Sequence, residues 1–154
     1  TEIMSHFDKA TVGSEKWLMQ LGTLSGNPVA SVAGLKTMEI LRRAGQYDRL
    51  RDLGQRLIDM QARALTKAGI NHRICGDPTL FDLYFTDVDP VDYRSAKHSD
   101  PKLNEVWNTV LRENGIFKSP GKFYPSLALT DEDLEMTQTA VNLAAHAVAK
   151  IVNG

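Results

Sequence analysis

Between Gln20 and Leu35 the chain reads QLGTLSGNPVASVAGL, and six residues of this stretch could hold an anion. Gly22 lets a ligand come close to the backbone. Thr23 offers a hydroxyl and a backbone N–H. Ser25, Gly26, Asn27 and Pro28 complete a turn that opens a helix, and a helix N-terminus adds N–H groups and a partial positive charge. Such donors together suit a phosphate. A plain loop-to-helix entry, with Asn27 as N-cap and Pro28 in the first helical position, uses the same residues and stays open at this point.

The other chemistry-bearing residues do not converge. His6, His72, His98 and His146 are scattered, without a partner at metal-ligand spacing. His146 falls in an apolar helix, which suggests a structural histidine. Asp87, Asp89 and Asp92 alternate as in a calcium loop but lack its glycine and its closing Glu. No metal is expected. No GxGxxG, P-loop or GxSxG is present, so no catalytic residue is assigned within this chain. The single cysteine, Cys75, excludes an internal disulfide and a CxxC zinc site, and reads as a small buried hydrophobe in a reducing cytoplasm.

The elements that must position these residues follow from periodicity. Val32, Leu35, Met38 and Leu41 predict a helix after Pro28, with Ala44-Gly45 as its stop. Leu50, Leu53, Leu57, Met60 and Ala64 predict a second, from about Tyr47 to Ala68, ended by Gly69. Alternation over Ile70–Ile74 and the aromatic run Leu80–Phe85 predict two strands joined by Gly76-Asp77-Pro78, the second largely buried. A polar connection follows. Asp100-Pro101 opens a helix carrying Leu103, Val106, Trp107, Val110 and Leu111, stopped at Asn114-Gly115. Short strands are expected at Ile116–Ser119 and Ser126–Leu129. Thr130 and Asp133 form a capping-box-like start to a last helix with Leu134, Val141, Ala144, Ala145, Val148 and Ile151. The expected fold class is α+β, a small antiparallel sheet covered by helices.

With 154 residues, 42% hydrophobic and 24% charged, the chain can bury one real core. A net charge of −1 gives no footprint for nucleic acid or an anionic membrane surface. No apolar run reaches the roughly 20 residues of a membrane span. The opening TEIMSHFDKA has neither an initiator Met nor targeting character, which suggests a sequence entered partway.

Gly22 to Leu41, GTLSGNPVASVAGLKTMEIL, resembles a signature of the class III, fold-type I aminotransferases that depend on pyridoxal phosphate (PLP), in their glutamate-1-semialdehyde aminomutase-like branch. EIMSHFD resembles the segment before that signature. TLFDLYFTD resembles an aromatic strand of the family's C-terminal domain. NGIFKSPGKFYPSLALTDEDLEMT resembles its terminal run. The likeness covers nearly the whole chain.

The resemblance implies a homodimer with composite active sites, acting on a small-molecule amino donor and a carbonyl acceptor. It implies that Thr23, with Gly22 beside it, donates to the cofactor phosphate bound mainly by the other subunit. It also implies that residues 1–27 end the large PLP-binding domain and residues 28–154 form the small C-terminal domain. The family's Schiff-base lysine lies upstream of these motifs, and no lysine from Lys9 to Lys150 has its context. This chain is therefore expected to be a C-terminal portion that does not catalyse transamination alone. Tyr124-Pro125, the absence of a His before Thr130, and the absence of an Arg between Gly115 and Thr130 depart from the aminomutase pattern. They point to a related aminotransferase, with Lys122 and Tyr124 as substrate-pocket candidates and Lys122 gripping a carboxylate as a point charge. A glutamate-1-semialdehyde 2,1-aminomutase and a stand-alone, non-catalytic dimerisation or binding module are the alternatives.

Overall fold

The computed structural model describes residues 1–19 and 22–154; Gln20 and Leu21, the end of the short apolar segment after Trp17, lie outside the described residues. The described residues form two compact units, Thr1–Arg43 and Ala44–Gly154.

The first unit holds two one-turn helices, α1 (Glu2–Ser5) and α2 (Lys9–Val12), and the longer α3 (Pro28–Leu41). The one-turn helices are tied locally: Trp17 Nε1 donates to the Phe7 carbonyl at 3.2 Å, and Leu18 N donates to the His6 carbonyl at 2.8 Å. α3 starts where the Asn-Pro pair predicts. It ends at Leu41 with Arg42 as C-cap, before the expected stop. Gly45, at φ 74°, instead precedes the next helix. α3 buries no residue, and Val29, Val32, Leu35 and Met38 are all exposed.

The second unit carries the core. α4 (Gln46–Lys67) buries the predicted stripe at Leu53, Leu57, Met60 and Ala64, and adds Gln61 and Leu65. It ends in a Schellman motif, with Gly69 N donating to the Thr66 carbonyl and Ile70 N to the Leu65 carbonyl. β1 (Arg73–Asp77) and β2 (Leu80–Tyr84) form an antiparallel pair in the register Arg73↔Tyr84 through Asp77↔Leu80. The hairpin sits later than the alternation predicts. Ile70 is spent closing α4, and the turn is Pro78-Thr79, with the Asp77 carboxylate accepting from Thr79 N at 3.0 Å. β2 is half-buried, with Phe81 and Leu83 inward, rather than largely buried.

Asp92 and Ser95 form a capping box for the one-turn helix α5 (Tyr93–Ala96), inside the stretch read as a polar connection. α6 (Pro101–Glu113) is capped by Asp100 as expected and buries Leu103, Trp107 and Leu111. α7 (Asp131–Asn153) starts at the Thr130–Asp133 capping box and buries Leu134, Ala140, Val141, Ala144, Ala145 and Val148. α7 packs along α6 and α4, and the hairpin lies against this helical layer.

The strands expected at 116–119 and 126–129 do not form. Ile116 N bonds back to the Leu111 carbonyl in a second Schellman motif, and only Phe123 pairs with β2, in one bridge to Phe81. The α+β class stands: among the described residues, helices and one small antiparallel sheet.

Candidate functional site

The turn before α3 is closed by two backbone bonds, Ser25 N to the Gly22 carbonyl and Asn27 N to the Leu24 carbonyl, both 3.0 Å. Gly26 takes φ 74°, which a side chain would strain. Asn27 Oδ1 accepts from Val29 N at 3.0 Å and from Ala30 N at 3.2 Å, and the Asn27 carbonyl accepts from Ser31 N at 2.9 Å. Pro28 has no N–H. The first turn of α3 therefore has no free donor to give an anion, only the field of its dipole. This corrects the expectation that helix N–H groups would share in holding a phosphate.

The turn itself has donors without a partner among the described residues: the N–H groups of Gly22, Thr23, Leu24 and Gly26, and Thr23 Oγ1, all on exposed residues. Of these, the N–H groups of Gly22 and Thr23 and the Thr23 hydroxyl, beside a residue without a side chain, are a donor set of the kind that fits the terminal oxygens of a phosphate monoester such as that of PLP. Thr23 and Gly22 are the residues that would hold it.

The second candidate region is the loop between α6 and α7. Phe123 is buried, its ring stacked on Phe81 with centroids 4.9 Å apart, and its N–H donates to the Phe81 carbonyl at 2.8 Å. Lys122 and Tyr124 flank it and are both exposed, because alternation along an extended segment sends neighbours of a buried residue outward. Lys122 Nζ stands 4.0 Å from Asp82 Oδ2. Beside this loop a groove of about 620 Å³ runs along β2 and α6, lined by Asp82, Tyr84, Asn104, Glu105, Asn108 and Arg112 among others. Neither Lys122 nor Tyr124 lines it. Burial pushes the Tyr84 phenol up, and the Asp82 carboxylate beside it pushes the same way.

Lys118, which the sequence pattern placed in a strand, is the most perturbed lysine of this region. Its Nζ donates to Asn108 Oδ1 at 2.7 Å and to the carbonyls of Ser119, Gly121 and Pro120 at 2.6, 3.1 and 3.3 Å. It also lies 4.4 Å from the centre of the Phe123 ring. Burial lowers its pKa to about 8, and Asp82 pulls it back toward the charged form. The one signal for this role is the Ser-Pro-Gly run after it: proline contributes an acceptor and no donor.

Two other expectations are corrected. Cys75 is exposed on β1, with Sγ 3.7 Å from the Pro90 carbonyl, because Ile74 takes the inward position of that strand. His146 is exposed on α7, one residue past the buried Ala145, and so is not a buried structural histidine. Of the aspartates, Asp89 pairs with Arg73 at 2.6 Å and Asp92 caps α5, so both carboxylates are engaged locally.

No family model matches the chain. Among curated proteins, a glutamate-1-semialdehyde 2,1-aminomutase from Natranaerobius thermophilus is 36% identical over 153 residues, 97% of this chain and 34% of that protein. Glutamate-1-semialdehyde 2,1-aminomutase 2 from Brevibacillus brevis is 38% identical over 78% of this chain and 29% of its own length. Among solved structures, an omega-transaminase from Sphaerobacter thermophilus superposes with a TM-score of 0.71 at 30% identity, over 96% of this chain and 34% of that one. This chain is a homologue of the C-terminal part of these enzymes. A transaminase with PLP bound shares the fold over 98% of the homologue, with a TM-score of 0.67 at 24% identity. The homologue spans about a third of the length of the curated relatives it matches.

Proposed function

We propose that the chain is the C-terminal portion of a PLP-dependent aminotransferase, which moves an amino group between an amino acid or amine and a carbonyl acceptor. The observation that carries this reading is the match of 96% of the chain to an omega-transaminase structure, with a free phosphate-type donor set at Gly22 and Thr23. In this reading residues 1–27 end the large PLP-binding domain and residues 28–154 form the small one. When bound, PLP supplies an electron sink for the carbon that gains or loses the amino group. The residues of this chain bind and orient. Gly22 N, Thr23 N and Thr23 Oγ1 donate to the cofactor phosphate, and Lys122 places positive charge where a substrate carboxylate would lie.

The site is composite and the assembly a cytoplasmic homodimer, with the phosphate held by Thr23 belonging to the neighbouring subunit. The exposed face of α3 supports an assembly: Val29 is 78% exposed and Leu35 72%, a run of apolar side chains that a folded assembly would cover. Among the described residues no helix is long and apolar enough to cross a membrane. Catalysis by this segment alone is not expected, since none of its lysines stands in the context of the one that holds the cofactor.

The two sequence relatives named as aminomutases favour a second reading, in which the amino group moves within one molecule. Dependence on an added carbonyl acceptor separates the two. The residue test is Thr23→Val in the full-length protein. A weakened hold on PLP, by about tenfold for one lost charge-assisted bond of roughly 1.5 kcal/mol, is expected by equilibrium dialysis. Unchanged affinity would remove Thr23 from the phosphate site.

A further inference from the structure

Lys118 has no role in the function proposed above, yet it is the best-connected side chain of the loop that carries both substrate-pocket candidates. Its ammonium has three protons and four oxygen acceptors within 3.3 Å. Three are consecutive carbonyls of the loop, Ser119, Pro120 and Gly121. The fourth, Asn108 Oδ1, belongs to α6, and the same amide donates from Nδ2 to the Pro120 carbonyl at 3.0 Å. The ring of Phe123 closes the remaining side. Each of its three protons has an oxygen acceptor within reach, which suits this ammonium to hold a loop.

We infer that Lys118 is the positioning residue of the 118–124 loop: it folds the Ser119–Gly121 turn around its ammonium, ties that turn to Asn108 on α6, and so sets where Lys122 and Tyr124 stand. The geometry beyond the clamp follows from chain connectivity. Phe123 is pinned to Phe81 by its N–H and its ring. Lys122 is therefore held between two fixed points, Gly121 and Phe123, and reaches Asp82 on one side. Without the clamp the loop keeps only its Phe123 end, and the Ser119–Gly121 carbonyls turn to water. The consequence for substrate rests on the reading of Lys122 and Tyr124 as pocket residues; the clamp itself does not.

The test uses full-length protein loaded with PLP, in wild-type form and as Lys118→Met and Lys118→Arg. Two readouts are taken: hydrogen exchange at the Phe123 amide, the hydrogen-bonded amide of this loop, and KM and kcat for an amino donor. Lys118→Met is expected to speed exchange of this amide by about tenfold and to raise KM by about threefold or more while leaving kcat within about twofold. Lys118→Arg, which keeps the charge and can reach the same carbonyls, is expected to recover part of both. Exchange unchanged in Lys118→Met would overturn the clamp. Faster exchange with KM unchanged would overturn its positioning role in the substrate pocket. A wild-type protein that transfers no amino group would count against the proposed function, and the exchange readout would still decide the clamp. If Lys118→Met does not fold, Asn108→Ala, which removes only the α6 tie, is read the same way.

Discussion

Asn27 determines what kind of anion site the Gly22–Pro28 turn makes. By taking Val29 N and Ala30 N onto one side-chain oxygen it closes the helix start and leaves any anion to the donors of the turn before it, Gly22 and Thr23 among them. Its cap role is legible in the sequence, because Asn followed by Pro names both the cap and the first helical position. That the cap withdraws the helix from anion binding is not, since it depends on which atoms the amide reaches. Asn27→Ala is expected to lower stability by about 1 kcal/mol, measured by denaturant unfolding of the full-length protein. Lys118 carries a pH signature. Its folded-state pKa of about 8 lies below the ordinary 10.5, so between those values the unfolded chain binds more protons and this group's contribution to stability rises with pH. The charges around it are Asp82 on β2, Lys122 on its own loop, and Arg112 on α6, which lines with Lys118 a hollow beside the Ser119-Pro120 turn. The difference in unfolding free energy between wild type and Lys118→Met is expected to grow from pH 8 to 10.5. A constant difference across that window would contradict the assignment.

At the scale of elements, α4, α6 and α7 were readable from their apolar stripes and caps, because a 3.6-residue period fixes which side chains face the core. One strand starts later than expected and another does not form, for one shared physical reason. Ile70 and Ile116 each follow a glycine and open a pattern that reads as the start of a strand. In the structure each is the residue that closes a Schellman motif, its N–H bonded back to Leu65 or Leu111. A hydrophobic residue just past a helix-ending glycine serves the helix first. Gly54 shows a constraint of the same kind. It lies buried in the middle of α4, where glycine costs roughly 1 kcal/mol against alanine. The cost is accepted because a methyl there would collide with the Pro78 carbonyl of the hairpin turn. Gly54→Ala is therefore expected to destabilise by about 1–3 kcal/mol despite its better helix propensity, seen as a lowered thermal midpoint. A raised midpoint would show that the hairpin does not rest on this helix.

At the scale of the whole molecule, the chain has a well-formed core in its second unit and an unpartnered apolar helix in its first. Trp107, Leu111, Leu65, Phe81 and Val148 are almost fully buried, whereas α3 buries nothing. Under the proposed function, the apolar face of α3 is one that the assembly would cover; the chain spans about a third of the length of the curated relatives it matches. The α+β class and the PLP family were legible from ordered motifs spread along the chain. The loop that Lys118 holds was not, because a clamp made of consecutive carbonyls leaves almost no trace in side-chain pattern. The most direct test of the central claim is an amino-transfer assay on the full-length protein, first stripped of PLP and then reloaded. No transfer is expected without PLP, and transfer from an amino donor to a carbonyl compound is expected to return once PLP is added. A full-length protein that takes up no PLP, or takes it up and moves no amino group between or within substrates, would contradict the claim.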